Sequence, residues 1–210
     1  MEQLPILPTI ARSVVPLLIF RIPLLGILLS NLCDLYDWKF IDHSTPAKLA
    51  FYQNWDKTFD LYYLTFIFII AFSFKDKLAK NTAIFLFLYR LVGLAFFYST
   101  HNRQFLFFFP NIFENFVIFY LMYKLFSKKD VLFKTHQILI LVLSVIAIPK
   151  LIHEFFQHFL LHHPWEYFDV AGWLGTTGVV QEYLNYGIFG TLLYIAPILL
   201  CLTYLLKKLR

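Results

Sequence analysis

Apolar runs of spanning length alternate along this chain with short polar connections, and the connections differ systematically in charge. A helix rises 1.5 Å per residue, so about 20 apolar residues cross a hydrocarbon core of about 30 Å. The pattern predicts spans over 12–31, 59–75, 82–100, 105–126, 137–161 and 186–206. The expected fold is all-α: a polytopic integral membrane helix bundle of six transmembrane helices, forming one transmembrane domain over 1–210. The run after Arg12 is too long for a signal peptide and reads as a retained first span.

Charge orients the bundle. Lys75, Lys77 and Lys80, then Lys124, Lys128, Lys129 and Lys134, then Lys207, Lys208 and Arg210 flank alternate connections. The positive-inside rule puts all three groups in the cytoplasm, and both termini with them. The opposite connections hold Asp34, Asp37, Asp42, His43, Asp56, Asp60, His101, His162, His163, Glu166, Asp169 and Glu182. Trp38, Trp55, Trp165 and Trp173 lie on that outer side too, where an interfacial anchoring belt is expected.

Composition agrees, with 60% hydrophobic and 15% charged residues against about 25% charged in a soluble domain. The net charge of +5 is dispersed between apolar runs and forms no basic stripe, so membrane lipids are the expected partners and nucleic acid is not. A homo-oligomer is compatible with so small a bundle. Cys33 and Cys201 are expected at different depths, without a disulfide, and no CxxC motif occurs. Serine-hydrolase elbows, P-loops and dinucleotide fingerprints are missing.

Ionisable residues inside spans are costly and must pair, hydrate or function. Arg21, Arg90, Glu114 and Lys150 all fall near the expected midplane and are candidates for binding a charged substrate group. Lys150, Glu154, His158 and His162 recur every four residues and make one polar stripe on the fifth span. A carboxylate and two imidazoles so spaced can ligate a divalent metal ion, which makes Glu154, His158 and His162 the expected ligands. Pro149 is expected to bend or unwind the helix just before the stripe.

Asp34 and Asp37 close the first span and Asp56 and Asp60 open the second, so four carboxylates are expected to meet across a helix hairpin. Without a cation or protons they would repel. Their spacing resembles the four acids of the CDP-alcohol phosphotransferase signature. Trp38, Ile41, Asp42 and Tyr52 stand where that signature has Gly, Ala, Arg and Gly, so the likeness is one of spacing and no function is taken from it.

If spans 1, 2 and 5 meet at their outer ends, these groups line one polar funnel. Asp34, Asp37, Asp56, Asp60 and His153 are then the catalytic candidates, and Arg21, Arg90, Glu114 and Lys150 hold an anionic head group. The expected function is a metal-dependent, membrane-embedded enzyme of the cell membrane, acting on a lipid or lipid-linked substrate at the outer leaflet. The alternatives are a transporter or proton conductor that uses the midplane charges, and a non-catalytic scaffold or subunit.

Overall fold

The computed structural model describes residues 5–37, 40–42, 44–160, 168–173, 175, 177, 178, 181, 184, 185, 188, 189, 192 and 195–208. Among them all regular structure is helical: α1 (Ile6–Val14), a 3₁₀ segment (Val15–Phe20), α2 (Pro23–Asp37), α3 (Pro46–Ala71), α4 (Lys77–Thr100), α5 (Gln104–Phe108), α6 (Ile112–Ser127), α7 (His136–Glu154) running into a π-helix (Phe155–Leu160), α8 (Val170–Trp173) and α9 (Ala196–Lys208). Three stretches, Lys77–Thr100, Gln104–Ser127 and His136–Leu160, are long and apolar enough to cross a membrane. Exposed Phe85, Leu88, Phe126, Ile140, Ile148 and Leu200 extend the apolar surface, which suits lipid better than water.

The first expected span, 12–31, is corrected by the structure. It is two antiparallel arms that turn at Arg21 and Ile22, with the 3₁₀ segment packed along α2. Pro23 disfavours helical backbone at Ile22 and cannot donate a hydrogen bond, so the helix cannot run straight through. Gly26 lets the arms close, because a Cβ there would strike the backbone of Leu18 and Ile19. The hairpin's outward side is apolar, with Ile6, Leu7, Ile10, Val14, Leu17, Leu25 and Leu28 all exposed. Its inward side carries the buried Arg12 and Asp37.

The second helix is longer than the expected 59–75 and runs over Pro46–Ala71, with Thr45 accepting the Lys48 N–H at its start. The fourth stretch breaks at Phe109–Pro110–Asn111, where Pro110 separates α5 from α6. Of the sixth, the structure describes a helix over Ala196–Lys208.

At the centre stands α6, whose Phe113, Phe116, Val117, Phe119, Tyr120 and Tyr123 are fully buried against α2, α3, α4, α7 and α9. Phe87 stacks on Phe68 at 4.2 Å and meets Phe113 edge-on, tying α3, α4 and α6 together. The lysine-rich end is closed by the buried Asp76. Its carboxylate caps α4 through the N–H groups of Leu78 and Ala79 and reaches across to accept those of Leu132 and Phe133. Nearby, hydrogen bonds from Lys75 and Lys124 hold the partly exposed Asp130 carboxyl below its ordinary range.

Candidate functional site

The four expected acids do converge at the end of the bundle opposite Asp76, but around a cation that the periodicity did not mark. Arg12, only 4% exposed, sends Nη1 to Asp37 and to Asp56 Oδ1 at 2.7 Å, and Nη2 to Asp60 Oδ1 at 2.7 Å and Asp34 Oδ1 at 2.8 Å. Lys57 bridges the second oxygens of Asp56 and Asp60, each at 2.7 Å. The Tyr52 hydroxyl donates to Asp37 at 3.1 Å. Four carboxylates against two cations leave a formal charge of −2.

Geometry explains why Arg12 can serve all four. The hairpin turn brings α1 back alongside the end of α2, and Asp56 and Asp60 lie one turn apart on α3 facing that seam. A guanidinium presents a rigid planar fork of donors, which a lysine does not. Trp55 and Phe59 cover it, with ring centroids 5.4 and 5.8 Å from Cζ. Trp55 is therefore a buried wall of this cluster, while Trp173 is exposed.

Oxygen atoms of Asp34, Asp56 and Asp60 lie within 4.8 Å of one another, close enough for one hard cation. Each of these carboxylates is already paired to Arg12, and Asp56 and Asp60 also to Lys57, so a metal ion would compete with these cations.

The second constellation lies on α7. Lys150 Nζ is 3.0 Å from Glu154 Oε1, and His158 Nε2 is 2.9 Å from Glu154 Oε2. All three residues are buried. Contact between His158 and Oε2 is close but off line, so Oε2 has no hydrogen bond of good geometry. Catalytic pairs commonly align only when substrate binds. Beyond the ring, Arg103 Nη2 lies 3.3 Å from His158 Nδ1. Arginine only donates, so Nδ1 is the bare nitrogen and the ring proton sits on Nε2, facing the carboxylate. The backbone passes from α to π geometry right after Glu154, a transition common at functional sites.

An open cleft of about 430 Å³ lies against this pair, lined by Gln53, Thr100, His101, Asn102, Arg103, Gln104, His158 and Phe159. The described lining residues come from the acid-rich end of the bundle. The acid cluster is adjacent: Gln53 is one turn before Asp56 and Lys57, and the charges of Asp56 and Glu154 both act on Arg103.

Arg90 is buried and donates to the carbonyls of Leu106 at 3.3 Å and Phe109 at 2.7 Å, which caps the break before Pro110. Its charge acts on both Glu154 and Lys57. Glu114 accepts from Asn111 Nδ2 at 2.8 Å and lies among Asn31, Tyr63 and Lys150. Arg21 sits exposed at the tip of the hairpin, far along its arms from the acids, and does not join them. His153 is partly exposed and, one residue from Glu154, is turned about 100° around the helix from it. His162 lies outside the described residues. Sequence reasoning missed Arg12, Lys57, Tyr52 and Arg103. Pro16, Pro23 and Gly26 were the signals that would have folded the first run back and revealed Arg12.

Comparison with protein families, with curated proteins and with solved structures finds no match to this chain. Fold and composition define an all-helical protein with apolar helices compatible with a membrane.

Proposed function

We propose that this protein is a multi-pass enzyme of the cell membrane that carries out proton-transfer chemistry on the head group of a lipid or lipid-linked substrate. The observation that carries this reading is the Glu154–His158 pair. A buried carboxylate 2.9 Å from one ring nitrogen leaves the other at the edge of a 430 Å³ cleft. In that arrangement Glu154 fixes the ring and stabilises the imidazolium when Nδ1 takes a proton, and Lys150 holds the carboxylate from its other side. The positive-inside rule turns the cleft outward, towards the outer leaflet.

The Arg12 cluster has a positioning part in this reading. It pins the hairpin to α3 beside the cleft. No metal is assigned to Glu154 and His158, because Lys150 and Arg103 already face their ligand atoms.

The test works with an unidentified substrate. Proteoliposomes made from a total lipid extract of the expressing cells are incubated with wild type, Glu154→Gln or His158→Asn, and the lipids are compared by mass spectrometry. The reading expects a lipid species consumed or formed by wild type and left unchanged by both variants. Indistinguishable lipid profiles for all three proteins contradict it.

A further inference from the structure

We infer that Arg103 is the receptor for a phosphate oxyanion of the substrate, and that taking up this anion frees His158 Nδ1 for chemistry. The inference rests on the enzyme reading above and names its substrate class.

Charge accounting singles out Arg103. At this end of the bundle Arg12 meets four carboxylates, Lys57 meets Asp56 and Asp60, and Lys150 meets Glu154, while Arg90 donates to two backbone carbonyls. Arg103 is half-buried, and among the described residues its one close side-chain partner is His158 Nδ1 at 3.3 Å. A guanidinium has five N–H donors, and among the described residues the one long contact to a ring nitrogen engages a single nitrogen of the fork. Desolvating a cation in this way costs free energy unless an anion completes the site.

Cleft chemistry fits the same ligand. Gln53, Asn102 and Gln104 bring amide N–H donors to its walls, and among the described residues no carboxylate lines it. The two carboxylates whose charges act on Arg103, those of Asp56 and Glu154, are each held by a lysine of their own. An arginine fork matches two oxygens of one phosphate group, and the phosphates of lipid head groups lie at the mouth of such a bundle. When Arg103 turns to the oxyanion it leaves Nδ1, which then faces the substrate with its lone pair. A neutral head group leaves the guanidinium on the ring. The site therefore selects anionic substrates by the same movement that exposes its base.

The test uses the full chain in an uncharged detergent, titrated separately with inorganic phosphate and with a short-chain phosphatidylglycerol. Binding is read by calorimetry, and the His158 ring by ¹⁵N NMR. We expect saturable binding of the phospholipid, weakened about tenfold to a hundredfold by Arg103→Gln and partly restored by Arg103→Lys. The Nδ1 resonance shifts on saturation of wild type. Binding of phosphate alone as well places recognition in the free oxyanion, whereas phospholipid alone requires the lipid-borne group. Neither probe binding, equal binding by Arg103→Gln, or an Nδ1 resonance unmoved at saturation overturns the inference. The last readout needs no variant. Because Arg103 binds the anion without the imidazole, His158→Asn retains binding, which separates a failure of proton transfer from a failure of recognition.

Discussion

Arg12 and Asp37 face each other in a buried ion pair although 25 residues separate them in the chain. The pair closes a helical hairpin whose outer surface is apolar, and the same guanidinium reaches Asp56 and Asp60 on α3. One side chain thus decides where the first two helical arms end relative to the third.

Removing it is expected to cost more than an ordinary ion pair. Arg12→Met leaves four carboxylates with Lys57 alone, and an uncompensated buried charge destabilises by about 3–5 kcal/mol. Thermal unfolding in detergent should show a large loss. Arg12→Lys should recover part of it, since a point charge cannot form the planar fork. A melting temperature unchanged in Arg12→Met would mean that the cluster does not hold the hairpin.

A related expectation concerns divalent cations. With Arg12 in place, Asp34, Asp56 and Asp60 are already compensated, so millimolar Ca²⁺ or Mn²⁺ should leave the wild-type melting temperature nearly unchanged. In Arg12→Gln the oxygens within 4.8 Å of one another become available, and the same ions should stabilise the protein. Equal stabilisation of wild type and variant would assign the acids to metal binding in the native protein.

Gly26 tests the turn from its other side. A methyl group at this position meets the backbone of Leu18 and Ile19, which cannot retreat as a flexible side chain would. Gly26→Ala is therefore expected to destabilise by about 1–3 kcal/mol, as overpacking does. Differential scanning calorimetry checks this, with exposed Leu28→Ala as a control expected to change little.

At the opposite end, Asp76→Ala orphans the N–H groups of Leu78, Ala79, Leu132 and Phe133. Each buried donor left unpaired costs about 1–3 kcal/mol, reduced where water enters. Hydrogen exchange should speed up at Leu132 and Phe133 in the variant, while amides around Arg12 keep their protection.

The acids and the α7 stripe were legible in the sequence for a simple reason. Residues three or four apart share a helix face, so Asp34 with Asp37, Asp56 with Asp60, and Lys150 with Glu154 and His158 could be paired from spacing alone. The hairpin was lost because one long helix and two short antiparallel arms have the same apolar length. Pro16, Pro23 and Gly26 distinguish them, and length outweighed them in placing the span. Arg103 belongs to the polar connection His101–Asn102–Arg103–Gln104, which has no period, and only tertiary packing brings it to His158. No spacing rule marks Lys57, whose partners are its sequence neighbour Asp56 and Asp60 three residues on.

The site stands on the first apolar run entering and leaving at the same end, since a straight span would carry Arg12 away from the acids. The most direct test places single cysteines at Pro5, Asp42 and Lys128 in a background with Cys33 and Cys201 replaced by serine, and labels intact cells with a membrane-impermeant thiol reagent. The structure predicts that positions 5 and 42 label alike and opposite to position 128. Positions 5 and 42 labelling from opposite sides would restore a single span and contradict the hairpin on which the Arg12 cluster depends.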